Sequence, residues 1–141
     1  MDRACGYEPQ GREFESLRAR QKIMEIYKEF SIEAAHSLPN TPVGHKCARL
    51  HGHSFKIRIY VEGDPEDKSG WIIDFADIVK AFEPARKVLD HSHLNKIQGL
   101  ENPTSENFAI WIWNKITPNL PLLSKVEVKE TCTSGCIYKG S

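Results

Sequence analysis

The sequence predicts an α+β domain: a four-stranded antiparallel sheet with two helices on one face, in the order strand, strand, helix, helix, strand, strand. Three observations lead there. Apolar residues alternate with polar ones early and late in the chain, and they recur at helical spacing in two segments between. Clusters of Gly, Pro, Asn and Asp mark the joints. Strands at both ends with helices between them suit a layered sheet rather than a parallel one.

The chain has 141 residues, enough for one core without cross-links. Its 19 basic and 19 acidic residues balance to a net charge of zero, so nothing marks it as a nucleic-acid binder. It has neither an apolar run long enough for a membrane span nor a secretory signal, and the cytoplasm is the expected compartment. Cys5, Cys47, Cys132 and Cys136 are too few and too uneven for a disulfide framework.

Residues 1–23 are charged, carry Gly6, Pro9 and Gly11, and lack sustained periodicity. They are expected to be a disordered extension or to lie ahead of the true start, with Met24 as the alternative initiator. Residues 24–141 form the single domain. In its first strand Ile26, Phe30, Ile32, Ala34 and His36 share one parity. Pro39, Pro42 and Gly44 make the loop that carries Cys47. A second strand over 54–61 alternates Phe55, Ile57, Ile59 and Val61 with polar residues, and Gly63-Asp64-Pro65 stops it.

Asp74 is the N-cap of the first helix, flanked by Ile73 and Ile78 at staple spacing. Its apolar stripe is Phe75, Ile78, Val79, Phe82, Ala85 and Leu89, and Pro84 is expected to kink or break it. Thr104 caps the second helix, whose stripe of Phe108, Trp111, Ile112 and Ile116 ends before Pro118. From Ser124 the period returns to two. Thr133-Ser134-Gly135 reads as a turn before a short last strand over 136–139.

Chemistry concentrates in Cys47-Ala-Arg-Leu-His-Gly-His53. His51 and His53 share the parity of the apolar face of their strand, and His36 ends the apolar stripe of the strand before. Three imidazoles on matching faces suit one Zn2+ ion, with Gly52 allowing a tight turn between two of them. Cys47 is either a fourth ligand closing a structural site or a free thiol beside an open one. A three-His set with an open position is the catalytic pattern.

Two further groups stand out. Asp90 and His91 follow the first helix; as helical neighbours they cannot face each other, so either the helix has ended or their partners lie elsewhere. They either decorate a helix C-terminus or exchange protons with the thiol. Glu130 falls on the apolar parity of its strand, either solvated at the end or held in a pocket to accept two hydrogen bonds from a guanidine-like edge. Cys132 and Cys136 are expected to stay free or to pack in the sheet. The edges of so small a sheet need covering, and an oligomer is expected.

Phe30-Ser-Ile-Glu-Ala-Ala-His36, Cys47-Ala-Arg-Leu-His-Gly-His53, Trp71-Ile-Ile-Asp-Phe75, Leu89-Asp-His91, Leu94-Asn95, Pro103-Thr-Ser-Glu106 and Lys129-Glu130 together resemble the 6-pyruvoyltetrahydropterin synthase family. The likeness runs over 27–140, and three residues between Cys47 and His51 is the spacing of its carboxy-forming branch. The resemblance implies a T-fold (tunnelling fold) in which trimers close a barrel and two trimers stack as a hexamer, with active sites between subunits. It implies zinc on His36, His51 and His53, Cys47 as general base, Asp90 and His91 as its relay, and Glu130 as pterin anchor and a further candidate for the catalytic relay. The implied substrate is the small molecule 7,8-dihydroneopterin triphosphate. The implied products are 6-carboxy-5,6,7,8-tetrahydropterin, acetaldehyde and triphosphate, on the route to the queuosine precursor. A pyruvoyl product and a noncatalytic zinc-stabilised interaction module are the alternatives. For the phosphates, Lys46, Arg49 and Lys56 remain open.

Overall fold

The computed structural model describes residues 22–140. The expectation for 1–23 therefore lies outside the described residues except at its last two positions.

Among the described residues, five strands and two α-helices follow one another as β1 (Met24–His36), β2 (His51–Gly63), α1 (Phe75–Leu89), β3 (Ser92–His93), α2 (Ser105–Ile116), β4 (Leu123–Thr131) and β5 (Ser134–Tyr138). The sheet runs in the order β3-β1-β2-β4-β5. The expected four-stranded antiparallel sheet is thus corrected to a five-stranded mixed one. β3 is only two residues long and pairs parallel with β1, Ala34 opposite Ser92 and Ala35 opposite His93. So short a strand has no periodicity of its own, and tertiary pairing alone makes it.

β1 and β2 pair antiparallel along their full lengths, from Met24 opposite Gly63 to His36 opposite His51. The alternation decides what this ladder buries. Ile32, Phe55, Ile57, Ile59, Val61, Val126 and Val128 lie wholly inside on one face. Both helices pack on that face, adding Ile78, Phe82, Leu89, Phe108, Ile112 and Ile116 to the same core. The other face is polar: Arg58 bonds Glu29 at 2.8 Å, sits 4.6 Å over the Tyr27 ring, and lies beside Tyr60, whose hydroxyl donates to Glu127. Among the described residues no element covers it.

Three local expectations are corrected. α1 runs unbroken through Pro84, which lies on its exposed side, where the carbonyl that lost its partner can meet water. Phe75 is about half exposed rather than part of the buried stripe, because it lies in the first turn beyond the edge of the sheet contact. The last turn falls at 132–133, not at 133–135, and β5 starts at Ser134. Both caps hold: Asp74 accepts from the Ala76 amide and Thr104 from the Asn107 amide.

Because Pro84 interrupts an exposed helical ladder, Pro84→Ala is expected to raise stability by about 1–3 kcal/mol, read as a higher urea midpoint at unchanged slope.

Candidate metal centre and its cavity

Register builds the site. His36 lies directly opposite His51 on neighbouring antiparallel strands, and His53 lies opposite Ala34, two residues along the same face. The three rings stack edge to face, with centroids 4.6, 4.8 and 5.2 Å apart. One ligand nitrogen from each lies within 4.8 Å of the other two. Gly52 sits inside β2 in an ordinary conformation, and a Cβ there would meet only the Ala34 carbonyl at 3.7 Å. The expected tight turn at that position is absent; the strand simply continues through it.

The backbone assigns the donor atoms. His36 Nδ1 lies 2.9 Å from the Pro103 carbonyl and His51 Nδ1 lies 2.7 Å from the Arg49 carbonyl. A carbonyl only accepts, so each Nδ1 carries the proton and each Nε2 keeps its lone pair. His36 is 1 % exposed, and its buried Nε2 has no hydrogen-bond partner. Burial holds the His36 pKa below its ordinary value, the Pro103 carbonyl opposing this in part. A buried lone pair without a partner, beside two more imidazoles, is what a cation would satisfy. The donor set fits a divalent ion that favours nitrogen.

Cys47 stands in the 3-10 turn Lys46–Ala48, outside the cluster of ligand atoms. Its amide donates to His45 Nδ1 and its carbonyl accepts from the Leu38 amide, so the thiol rides on a loop closed at its base. A cavity of about 410 Å³ is lined by Lys46, Cys47, His51, His53, Glu130 and Thr131. Glu130, half-buried on β4, accepts from the Ser105 hydroxyl at 2.8 Å. Of the three cations near the loop, Lys46 lines this cavity, Arg49 offers its carbonyl to His51, and Lys56 projects from the opposite sheet face.

Asp90 and His91 do not line that cavity. α1 has ended, Asp90 is its C-cap, and His91 adopts the left-handed conformation with φ 58°. That lets adjacent residues pair, His91 Nδ1 to Asp90 Oδ2 at 3.2 Å, which a helix would forbid. Asp90 Oδ1 accepts from the Glu33 amide, and the His91 amide donates to the Glu33 carbonyl. The His91 side chain stays 78 % exposed. Cys132 is exposed at the last turn and Cys136 half-buried, its thiol pKa pushed up by burial; both are free. Sequence reasoning missed the partners Pro103 and Ser105: the Pro103 carbonyl carries no residue signature, and the Ser105 hydroxyl meets Glu130 only across 25 residues of chain.

Comparison with known proteins identifies the family and the fold. The family model described as 6-pyruvoyl tetrahydropterin synthase matches residues 25–141. A 6-carboxy-5,6,7,8-tetrahydropterin synthase from Synechocystis sp. is 47% identical over 119 residues, covering 80% of this chain and 91% of that protein. A dihydroneopterin monophosphate aldolase from Pyrococcus furiosus is 42% identical over 100 residues, 71% of this chain and 80% of its own. The structure of Caenorhabditis elegans 6-pyruvoyl tetrahydropterin synthase superposes with a TM-score of 0.79 at 28% identity, covering 86% of this chain and 99% of that one.

The Glu33 amide, chiefly, with His91 and Arg86 beside it, holds the Asp90 carboxyl below its ordinary 3.8. A lowered native value means that the ionised form stabilises the fold above the unfolded value and that this contribution fades as pH falls through it. Asp90→Asn is expected to be less stable than wild type at neutral pH and to converge with it well below pH 3.8, in urea melts run across pH.

Proposed function

The chain belongs to the 6-pyruvoyl tetrahydropterin synthase family, and from that premise we propose that it is a cytoplasmic zinc-dependent lyase. It converts 7,8-dihydroneopterin triphosphate and one water to 6-carboxy-5,6,7,8-tetrahydropterin, acetaldehyde and triphosphate, a step towards the queuosine precursor. The observation that carries this reading is one cavity bringing a thiol, a carboxylate and two members of a three-imidazole cluster together. The 47% identical relative supports the carboxy product.

His36, His51 and His53 would hold the metal through Nε2, leaving a position open because Cys47 is outside the cluster. Bound there, Zn2+ supplies Lewis acidity that makes a hydrogen on the substrate side chain easier to remove. Cys47, as thiolate, takes that proton. Glu130, pre-oriented by Ser105, accepts the amine and ring N–H of the pterin in two parallel hydrogen bonds. His91, held by Asp90, returns a proton while triphosphate departs.

Within one chain His91 is mostly exposed and does not line the cavity with Cys47. The relay therefore comes from another copy, and the uncovered polar sheet face supports an oligomer, a hexamer of two stacked trimers, with sites between subunits.

Incubation with 7,8-dihydroneopterin triphosphate is expected to release acetaldehyde, whereas a pyruvoyl-forming enzyme would retain all side-chain carbons and release none. Cys47→Ala should keep its zinc and lose turnover by at least about 100-fold. Simultaneous loss of metal and stability would instead indicate a closed structural site. Cys47→Ala and His91→Ala subunits, each inactive, are expected to regain activity when co-assembled; inactivity of the mixture would place both residues in one subunit's site. Zinc removal by chelation should abolish acetaldehyde release, and zinc should restore it.

A further inference from the structure

Ser37, the residue after His36, leaves β1 with both backbone polar groups turned to one side chain. Its amide donates to Asn95 Oδ1 at 2.9 Å, and its carbonyl accepts from Asn95 Nδ2 at 2.8 Å. The same Nδ2 reaches the Glu101 carbonyl at 3.3 Å. The parallel pairing of β1 with β3 stops at Ala35 opposite His93, so two residues later an amide side chain stands in for the missing strand.

Asn95 is itself held firmly. Leu94 beside it and Leu100 beyond it are wholly buried, and Trp111 Nε1 donates to the Gln98 carbonyl in between. The same stretch goes on to Pro103, whose carbonyl receives His36 Nδ1–H. The segment from Asn95 to Pro103 thus grips the end of β1 at consecutive residues, at His36 by its ring and at Ser37 by its backbone. His51 and His53 lie on β2 and take no part in this grip.

We propose that Asn95 is a positioning residue for the metal centre: it fixes the end of β1 so that His36 meets Pro103 with Nε2 aimed into the imidazole cluster. This rests on the metal-binding reading above. Without the amide, Ser37 loses both partners, the strand end moves relative to Pro103, and His36 no longer arrives in register with the two ligands on β2. Partners that orient a ligating imidazole from outside typically carry about a 10- to 100-fold effect on metal affinity.

The test is competition for Zn2+ between a chromophoric chelator and the full-length apoprotein, at a temperature where circular dichroism shows each variant fully folded. Asn95→Asp keeps size and the acceptor for the Ser37 amide but sets an oxygen against the carbonyls of Ser37 and Glu101; Asn95→Ala removes every bond. Both are expected to bind Zn2+ at least about tenfold more weakly than wild type. A purely structural role would lower the thermal midpoint and leave the affinity of the folded protein unchanged. Folded Asn95→Asp with wild-type affinity would overturn the proposal, and that variant decides if Asn95→Ala does not fold. A wild-type protein that takes up no Zn2+ overturns the metal centre itself, and this proposal with it.

Discussion

The antiparallel register of β1 with β2 is the constraint on which the rest depends. A side-chain period of two means that slipping β2 by one residue against β1 would send His51 and His53 to the polar face, away from His36, and the apolar row of Phe55, Ile57, Ile59 and Val61 with them. Burial of that row under two helices therefore specifies the same register that assembles the imidazoles. The site is built at the open end of a ladder whose length is stabilised elsewhere. An unpartnered lone pair on a buried ring is costly, and a cation shared with the neighbouring rings on the same face would offset that cost.

Loops finish what the ladder begins. The β1–β2 loop delivers Cys47 and Lys46 to the cavity, tied at its base by Leu38 to the Cys47 carbonyl. The stretch between β3 and α2 delivers the Pro103 carbonyl to His36, and Ser105, the first residue of α2, gives its hydroxyl to Glu130, so neighbouring residues orient both an imidazole of the cluster and the carboxylate that lines the cavity. Division of labour follows: regular structure supplies the direction of the ligands, and irregular structure supplies their tautomers and partners.

Much of this was legible in the chain. Alternation marked the faces of β1, β2 and β4, since a strand buried on one side must repeat every two residues. Asp74 and Thr104 marked their helix starts because capping demands those side chains. Three histidines on matching parities were readable as a cluster for the same reason. Pro84 misled because propensity weighs a residue without knowing which side of the helix meets water. β3 could not be read, since two residues carry no period.

What the sequence alone determined is the pattern: which residues share a face, where helices begin, and which groups have the chemistry for a metal, a base and a guanidine acceptor. That is local information, written in spacing and side-chain type. Only the tertiary structure decided that Cys47 lies outside the imidazole cluster, that Asp90 and His91 pair through a left-handed turn and do not line the cavity, and that Lys46 rather than Lys56 does. Those outcomes depend on where loops close and on backbone carbonyls, which are the same in every residue and leave no mark in the chain until it folds.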